Sequence, residues 1–244
     1  MKIAIMQPYF FPYVGYFQLI ANTDQFIFFD IVQYNKKTWM SRNRILHPNK
    51  LDDFQYISVP IAKHIKGMLI KDVEISQNEA WKNKILEQLT VYKKLKAPFY
   101  NEVNQLVKEV FSKEYNNLLH LSIESMRSIC DYLGIELNFE IASRINFNRD
   151  RISQPGDWAV EISKHMKASE YINPPGGHDI FDENKFTEKF GQELSEDIAK
   201  FLIKALRFVI IIIAVATVFQ EWGYNISGFL ASLGLVGMVF ALAA

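Results

Sequence analysis

Trp39, Arg42, Asn43 and Arg44 form the densest group of ligand-binding residue types in the first third of the chain. A guanidinium fork binds a phosphate through two N–H groups, and an aromatic face stacks on a base or sugar ring, so the group points to an anionic, nucleotide-linked ligand. Hydrogen-bonding side chains gather ahead of it: Gln7, Tyr9 and Tyr13, then Asp30, Gln33 and Tyr34. All of them but Tyr34 are candidate substrate-binding residues. Spacing alone equally allows a hairpin with solvated charges.

A second concentration lies near residue 150. Asn148-Arg149-Asp150-Arg151 precedes a helical stretch carrying His165, and Asn173-Pro174-Pro175-Gly176-Gly177-His178 follows it. Paired glycines let backbone N–H groups approach an anion, which makes Asn173, Gly176 and Gly177 binding candidates, although Pro and Gly also make plain turns. Asp150, His165 and His178 are the candidate catalytic groups, as acids or bases beside basic partners, provided they converge within hydrogen-bond reach. His120 reads as structural, and Cys130, on a helical stretch, as a buried thiol. The five histidines lack helical pair spacing and there is a single cysteine, so no metal site and no cofactor is expected.

The elements that must position these groups follow from periodicity. Residues 2–6 read as a buried strand, and 7–13, with two prolines, as a rigid aromatic loop. Residues 15–21 read as a helix and 24–32 as a second strand, giving a β–loop–α–β opening whose ligands would bind beyond the strand ends. A further strand is expected at 53–60 and a basic turn at 63–67. Helices are expected at 79–95, 100–121 and 122–133, the last closed by Gly134. A strand at 137–141 and a helix at 157–167 complete the N-terminal domain.

Charge and hydropathy divide the chain in two. Formal net charge is zero and charged residues make up 22% of the whole. A balanced surface gives no electrostatic support for a nucleic-acid partner. The N-terminal apolar run is too short for a signal peptide, which places the first domain in the cytoplasm. After Lys200 the composition changes sharply. Residues 201–219 are almost wholly apolar and 226–244 carry no charge; each stretch, as helix, is roughly 28 Å long and matches a bilayer core. The chain is therefore expected to be a soluble α/β domain (1–190), a junction (191–200) and a two-helix transmembrane hairpin (201–244). Lys200, Lys204 and Arg207 favour a cytoplasmic start for the hairpin, which puts the protein in the inner membrane in contact with lipid. Small residues recurring along the second span, Gly228, Ala231, Gly234, Gly237 and Ala241, favour helix–helix contact and a homo-oligomer. A hairpin buried in soluble protein is the alternative.

Two family resemblances, and one at the level of fold alone, rest on these residues. Residues 7–17 (Gln-Pro-Tyr-Phe-Phe-Pro-Tyr with Gly15-Tyr16-Phe17), Phe29-Asp30 with Gln33-Tyr34, Trp39 with Arg42-Asn43-Arg44, and Tyr171-Ile172-Asn173-Pro174 with Gly176-Gly177 resemble the WbqC-like family. That resemblance implies a bacterial protein of surface-polysaccharide (O-antigen) gene clusters, transferring an acyl or aminoacyl group to a nucleotide-linked amino sugar. The family pattern continues through another strand and helix where this chain changes character after Phe190. Residues 7–44 also resemble, at fold level only, adenylyl-transferring α/β enzymes, but Tyr16 stands where their histidine is expected. The second family resemblance is to the small-conductance mechanosensitive channels, from about Ser195 onward. It implies a pore-lining helix with Gly234, Gly237 and Ala241 packing between subunits and Met238 and Leu242 forming the constriction. Three functions follow as expectations: a sugar-modifying transferase with a membrane tail, a member of the channel class, or a chimeric, truncated product with no function as a unit.

Overall fold

The computed structural model describes residues 1–50 and 53–174. Contacts divide the chain into Met1–Asp182 and Glu183–Ala244, and every described residue lies in the first unit. Four of its strands form one parallel sheet in the order β5-β2-β1-β6: β1 (Lys2–Met6), β2 (Gln25–Phe28), β5 (Phe139–Ile141) and β6 (Glu170–Tyr171). Parallel strands need crossovers. The first is α1 (Val14–Ala21), joining β1 to β2; the last is α5 (Asp157–His165), joining β5 to β6. Between β2 and β5 the chain inserts an antiparallel hairpin, β3 (Arg42–Leu46) and β4 (Phe54–Ser58), and three helices, α2 (Ala80–Lys94), α3 (Tyr100–Phe111) and α4 (Leu118–Leu133). Thus the N-terminal domain has the expected α/β class with a parallel sheet.

Because side chains alternate along a strand, Ala4, Phe26 and Phe28 share one face of the sheet. That face packs on Tyr16, Phe17 and Ile20 of α1 and on Leu119, Ile123, Met126 and Cys130 of α4. The insertion has its own apolar cluster, in which Ile45 and Ile57 of the hairpin meet Trp81 and Ile85 of α2, Val107 and Phe111 of α3, and Leu118 and Leu121 of α4. α4 therefore serves two cores from two sides.

Several expected boundaries are corrected. The helix expected at 100–121 stops at Phe111, and the one expected at 122–133 begins at Leu118. Asn117 decides the restart: its side-chain oxygen accepts the Leu119 N–H at 2.8 Å, an N-cap that apolar periodicity across 106–123 conceals. His120 accordingly lies in the first turn of α4 and not at the C-terminal end of the preceding helix. The strand expected at 24–32 ends at Phe28, and that expected at 137–141 begins at Phe139. Gly134 closes α4 with φ 67°, as expected for a left-handed C-terminal residue.

Among the described residues no helix is long and apolar enough to cross a membrane. Residues 201–244, on which the transmembrane hairpin is expected, lie outside the described residues.

Candidate functional site

The parallel sheet reverses its order at β1: the chain proceeds from β1 to β2 and β5 on one side, and places β6 on the other. Clefts form at such a reversal because the connections beyond the strand ends diverge. A cleft of about 800 Å³ opens there, walled by Met6 at the end of β1 and Gln7 after it, Phe29 after β2 and Tyr171 and Asn173 at β6. Tyr9 and Tyr13 of the aromatic loop line it, as do Ser153, Gln154 and Trp158 at the start of α5.

Local chemistry fixes each wall. The buried Tyr16 hydroxyl donates to the Gln7 carbonyl, holding the chain where it leaves β1. Burial, reinforced by Tyr9 and Tyr13, keeps the Tyr16 phenol well above the ordinary tyrosine range; the position is structural. The Tyr9 hydroxyl donates to Gln7 Oε1 at 3.4 Å, and burial also raises the Tyr9 pKa, with Tyr13 adding to it. On the facing wall, Asp157 Oδ2 accepts the Ser153 N–H at 2.9 Å, the Ser153 hydroxyl at 2.8 Å and the Gln154 N–H at 3.1 Å. This carboxylate ties the 153–155 loop to the helix it precedes. Trp158 stands edge-on to Phe29, with ring centroids 5.5 Å apart, and to Phe147 at 6.1 Å. The Tyr171 hydroxyl donates to Asn173 Oδ1 at 3.2 Å, and burial raises its pKa.

No Lys, Arg, Asp, Glu or His of the described residues lines this cleft. Its donors and acceptors are amides and hydroxyls, and its flat surfaces are aromatic. Such a lining suits a neutral polyol or sugar ring: hydroxyls exchange water for amide partners, and the apolar ring face stacks.

Of the residues singled out in the sequence, Gln7, Tyr9, Tyr13 and Asn173 meet in the cleft. Asp30 does not line it. Fully buried after β2, Asp30 accepts the Ser143 N–H at 2.9 Å through Oδ1, joining β2 to the turn after β5. Gln33 pairs with Leu69 in an isolated bridge. Arg42, Asn43 and Arg44 belong to β3, where the Asn43 amide donates to the carbonyls of Phe10 and Phe11. The Arg42 guanidinium lies 4.0 Å from the centre of the Tyr56 ring; that of Arg44 lies 4.3 Å from Phe54 and 4.9 Å from Trp39. Arg44 and Asn43 border a separate apolar groove of about 390 Å³. Asp150 and His165 are exposed and line neither the cleft nor the groove. Gly176, Gly177 and His178 lie outside the described residues, as do Gly234, Gly237, Met238, Ala241 and Leu242.

Trp158, Ser153 and Gln154 were not among the residues singled out in the sequence. Their signal was a tryptophan one residue after Gly156-Asp157, at a helix start preceded by polar residues and a proline.

A family model described as the WbqC-like protein family matches residues 7–195, which takes in every described element after β1 and the cleft residues from Gln7 onward. The chain belongs to the WbqC-like protein family. The uncharacterized protein Rv1507c of Mycobacterium tuberculosis is 29% identical over 191 residues, covering 77% of this chain and 78% of that one. A second model, described as mechanosensitive ion channel, transmembrane helices 2/3, matches residues 204–244. At the C-terminal part of the chain an uncharacterized MscS family protein of Bacillus subtilis, YhdY, is 46% identical over 61 residues. Another from Aquifex aeolicus is 40% identical over 65 residues. These matches cover 25% of this WbqC-like chain but 16% and 18% of the two channel-family proteins. No solved structure matches the chain.

Proposed function

We propose that this WbqC-like protein binds the sugar of a nucleotide-linked amino sugar in the cleft beyond β1, β2 and β6, in the service of surface-polysaccharide (O-antigen) synthesis. One observation carries the reading: a large cleft at the sheet's reversal point, lined by aromatic rings, amides and hydroxyls and by no charged side chain of the described residues. Trp158 and Tyr13 offer stacking faces; Gln7, Gln154 and Asn173 offer amides to sugar hydroxyls.

The reaction class assigned is transfer of an acyl or aminoacyl group to the sugar amine. The amine nitrogen forms the amide bond, the donor's ester or thioester bond breaks, and the amine proton passes to a base. Asp150 and His165 stand off the cleft, so of the three candidate acid/base groups His178 is the one proposed for this step. His178, four residues beyond Pro174 in the chain, follows the cleft wall most directly in sequence.

Residues 201–244 are proposed to anchor the protein in the inner membrane as a helical hairpin, its second span associating with other copies and the N-terminal domain facing the cytoplasm. The match to transmembrane helices 2/3 supports this, and it also favours a second reading, membership of the mechanosensitive channel class. Tension-gated conductance of the reconstituted chain would decide for that second reading.

Calorimetric titration of the full chain with nucleotide-linked amino sugars tests the first. Binding is expected, weakened about tenfold by Trp158→Ala, which removes about 1.4 kcal/mol of stacking. Equal affinity in wild type and variant, with both folded, would overturn the assignment of the cleft.

A further inference from the structure

The apolar groove beside Arg44 lies between the β3–β4 hairpin and the α2–α3 turn, and shares no residue with the cleft. Its floor is Ile45, Ile57, Ile85, Leu89 and Val107. At its rim two large apolar side chains face water, Phe99 63% exposed and Val103 43%, and Leu95, 44% exposed, belongs to the same α2–α3 turn. Soluble surfaces scatter such residues singly, so three on one turn beside an apolar groove mark a surface that meets something apolar.

The charges of this turn say what. Lys93, Lys94 and Lys96 are exposed and form no ion pair among the described residues. Glu102 is the acidic residue in the first turn of α3. Across the groove, the exposed Arg44 rests on Phe54 and Trp39 and has no carboxylate partner among the described residues. Apolar tips ringed by unpaired cations, with aromatics between, fit a bilayer interface: the apolar groups enter the acyl boundary while the cations meet lipid phosphates. A small soluble anion would leave the three apolar tips in water. Residues 204–244, matching transmembrane helices, give this chain an independent reason to be at a bilayer.

We propose that the α2–α3 turn and the Arg44 rim form a docking face for an anionic lipid bilayer, the groove receiving one lipid acyl chain. This stands on residues other than those of the cleft and does not depend on the sugar reading.

The test uses the full chain reconstituted in vesicles of phosphatidylglycerol with phosphatidylcholine, or of phosphatidylcholine alone. A bimane fluorophore is attached at Phe99→Cys and, in a second protein, at Val103→Cys; native Cys130 is fully buried. A control label at Glu136→Cys, exposed between α4 and β5, stays outside the face. In anionic vesicles the Phe99 and Val103 labels are expected to shift to the blue and to lose at least threefold in iodide quenching, with the control unchanged. Combining Lys93→Glu, Lys94→Glu and Lys96→Glu is expected to restore quenching. Equal quenching in both kinds of vesicle would overturn the proposal. So would equal shielding in detergent without lipid, since another segment or a second copy would then cover the groove.

Discussion

Gly15 is the second residue of α1, and a Cβ built there would run into the ring of Tyr13. Tyr13 lines the cleft, so this glycine leaves room for a binding residue. Gly15→Ala is expected to weaken ligand binding by displacing the Tyr13 ring while thermal stability holds or rises, because alanine favours a helix over glycine by about 1 kcal/mol. Parallel calorimetry and thermal melts separate the two effects. Asp157 acts on the opposite wall. Asp157→Ala removes the acceptor of three hydrogen bonds and is expected to lower stability by about 2 kcal/mol, measured by urea unfolding, and to loosen the 153–155 loop. Buried acids set the alkaline limit. Burial, with Asp131 adding to it, raises the Cys130 thiol to about 11, and Tyr16 and Tyr171 are raised by burial as well. Each is protonated in the fold where the unfolded chain ionises, so the stability it contributes is complete below the unfolded pKa and disappears as pH rises through the folded one. Thermal melts should fall from about pH 9 upward; a melting temperature that stays constant across that range would contradict this.

At the scale of elements, the aromatic loop after β1 is held from the insertion. Phe11 has φ 46°, a left-handed conformation uncommon for a side chain of that size, and the Asn43 amide of β3 donates to the carbonyls on either side of it. The hairpin thereby positions the loop that carries Tyr9 and Tyr13. Asn43→Ala is expected to cost about 2 kcal/mol in chemical unfolding and to weaken cleft binding, although Asn43 lies outside the cleft. α4 couples the two halves in the same manner, with Leu118 and Leu121 in one core and Ile123 and Met126 in the other. Met126→Ala empties a fully buried site and is expected to cost 2–5 kcal/mol.

At the scale of the molecule, the two family matches divide the chain where the composition changes. Residues 7–195 carry the WbqC-like pattern and 204–244 the transmembrane one. If the second part anchors the first, the full chain should remain with membranes after alkaline carbonate extraction, and removal of residues 201–244 should release a soluble protein. Loss of the full chain to the carbonate wash would remove the anchor from the account.

Periodicity and punctuation fixed the elements whose signals are local. β1 is an apolar run stopped by Gln7-Pro8, α1 begins after the loop's second proline, and Gly134 ends α4; each follows from short-range sterics and burial. Gln7, Tyr9, Tyr13 and Asn173 were singled out in the sequence, the first two because they follow a strand and Asn173 for the glycines after it, and the fold gathers all four in one cleft. What the tertiary structure decided is which distant polar groups share a cavity. Arg42 and Arg44 stand only a dozen residues beyond Asp30, yet β3 pairs with β4 and carries both guanidiniums onto aromatic rings outside the cleft, that of Arg44 beside another groove. Trp158, more than a hundred residues from β1, reaches the cleft because α5 crosses over to place β6 beside that strand. Strand order is set by long-range pairing and shared cores, and no local pattern of residue types encodes it.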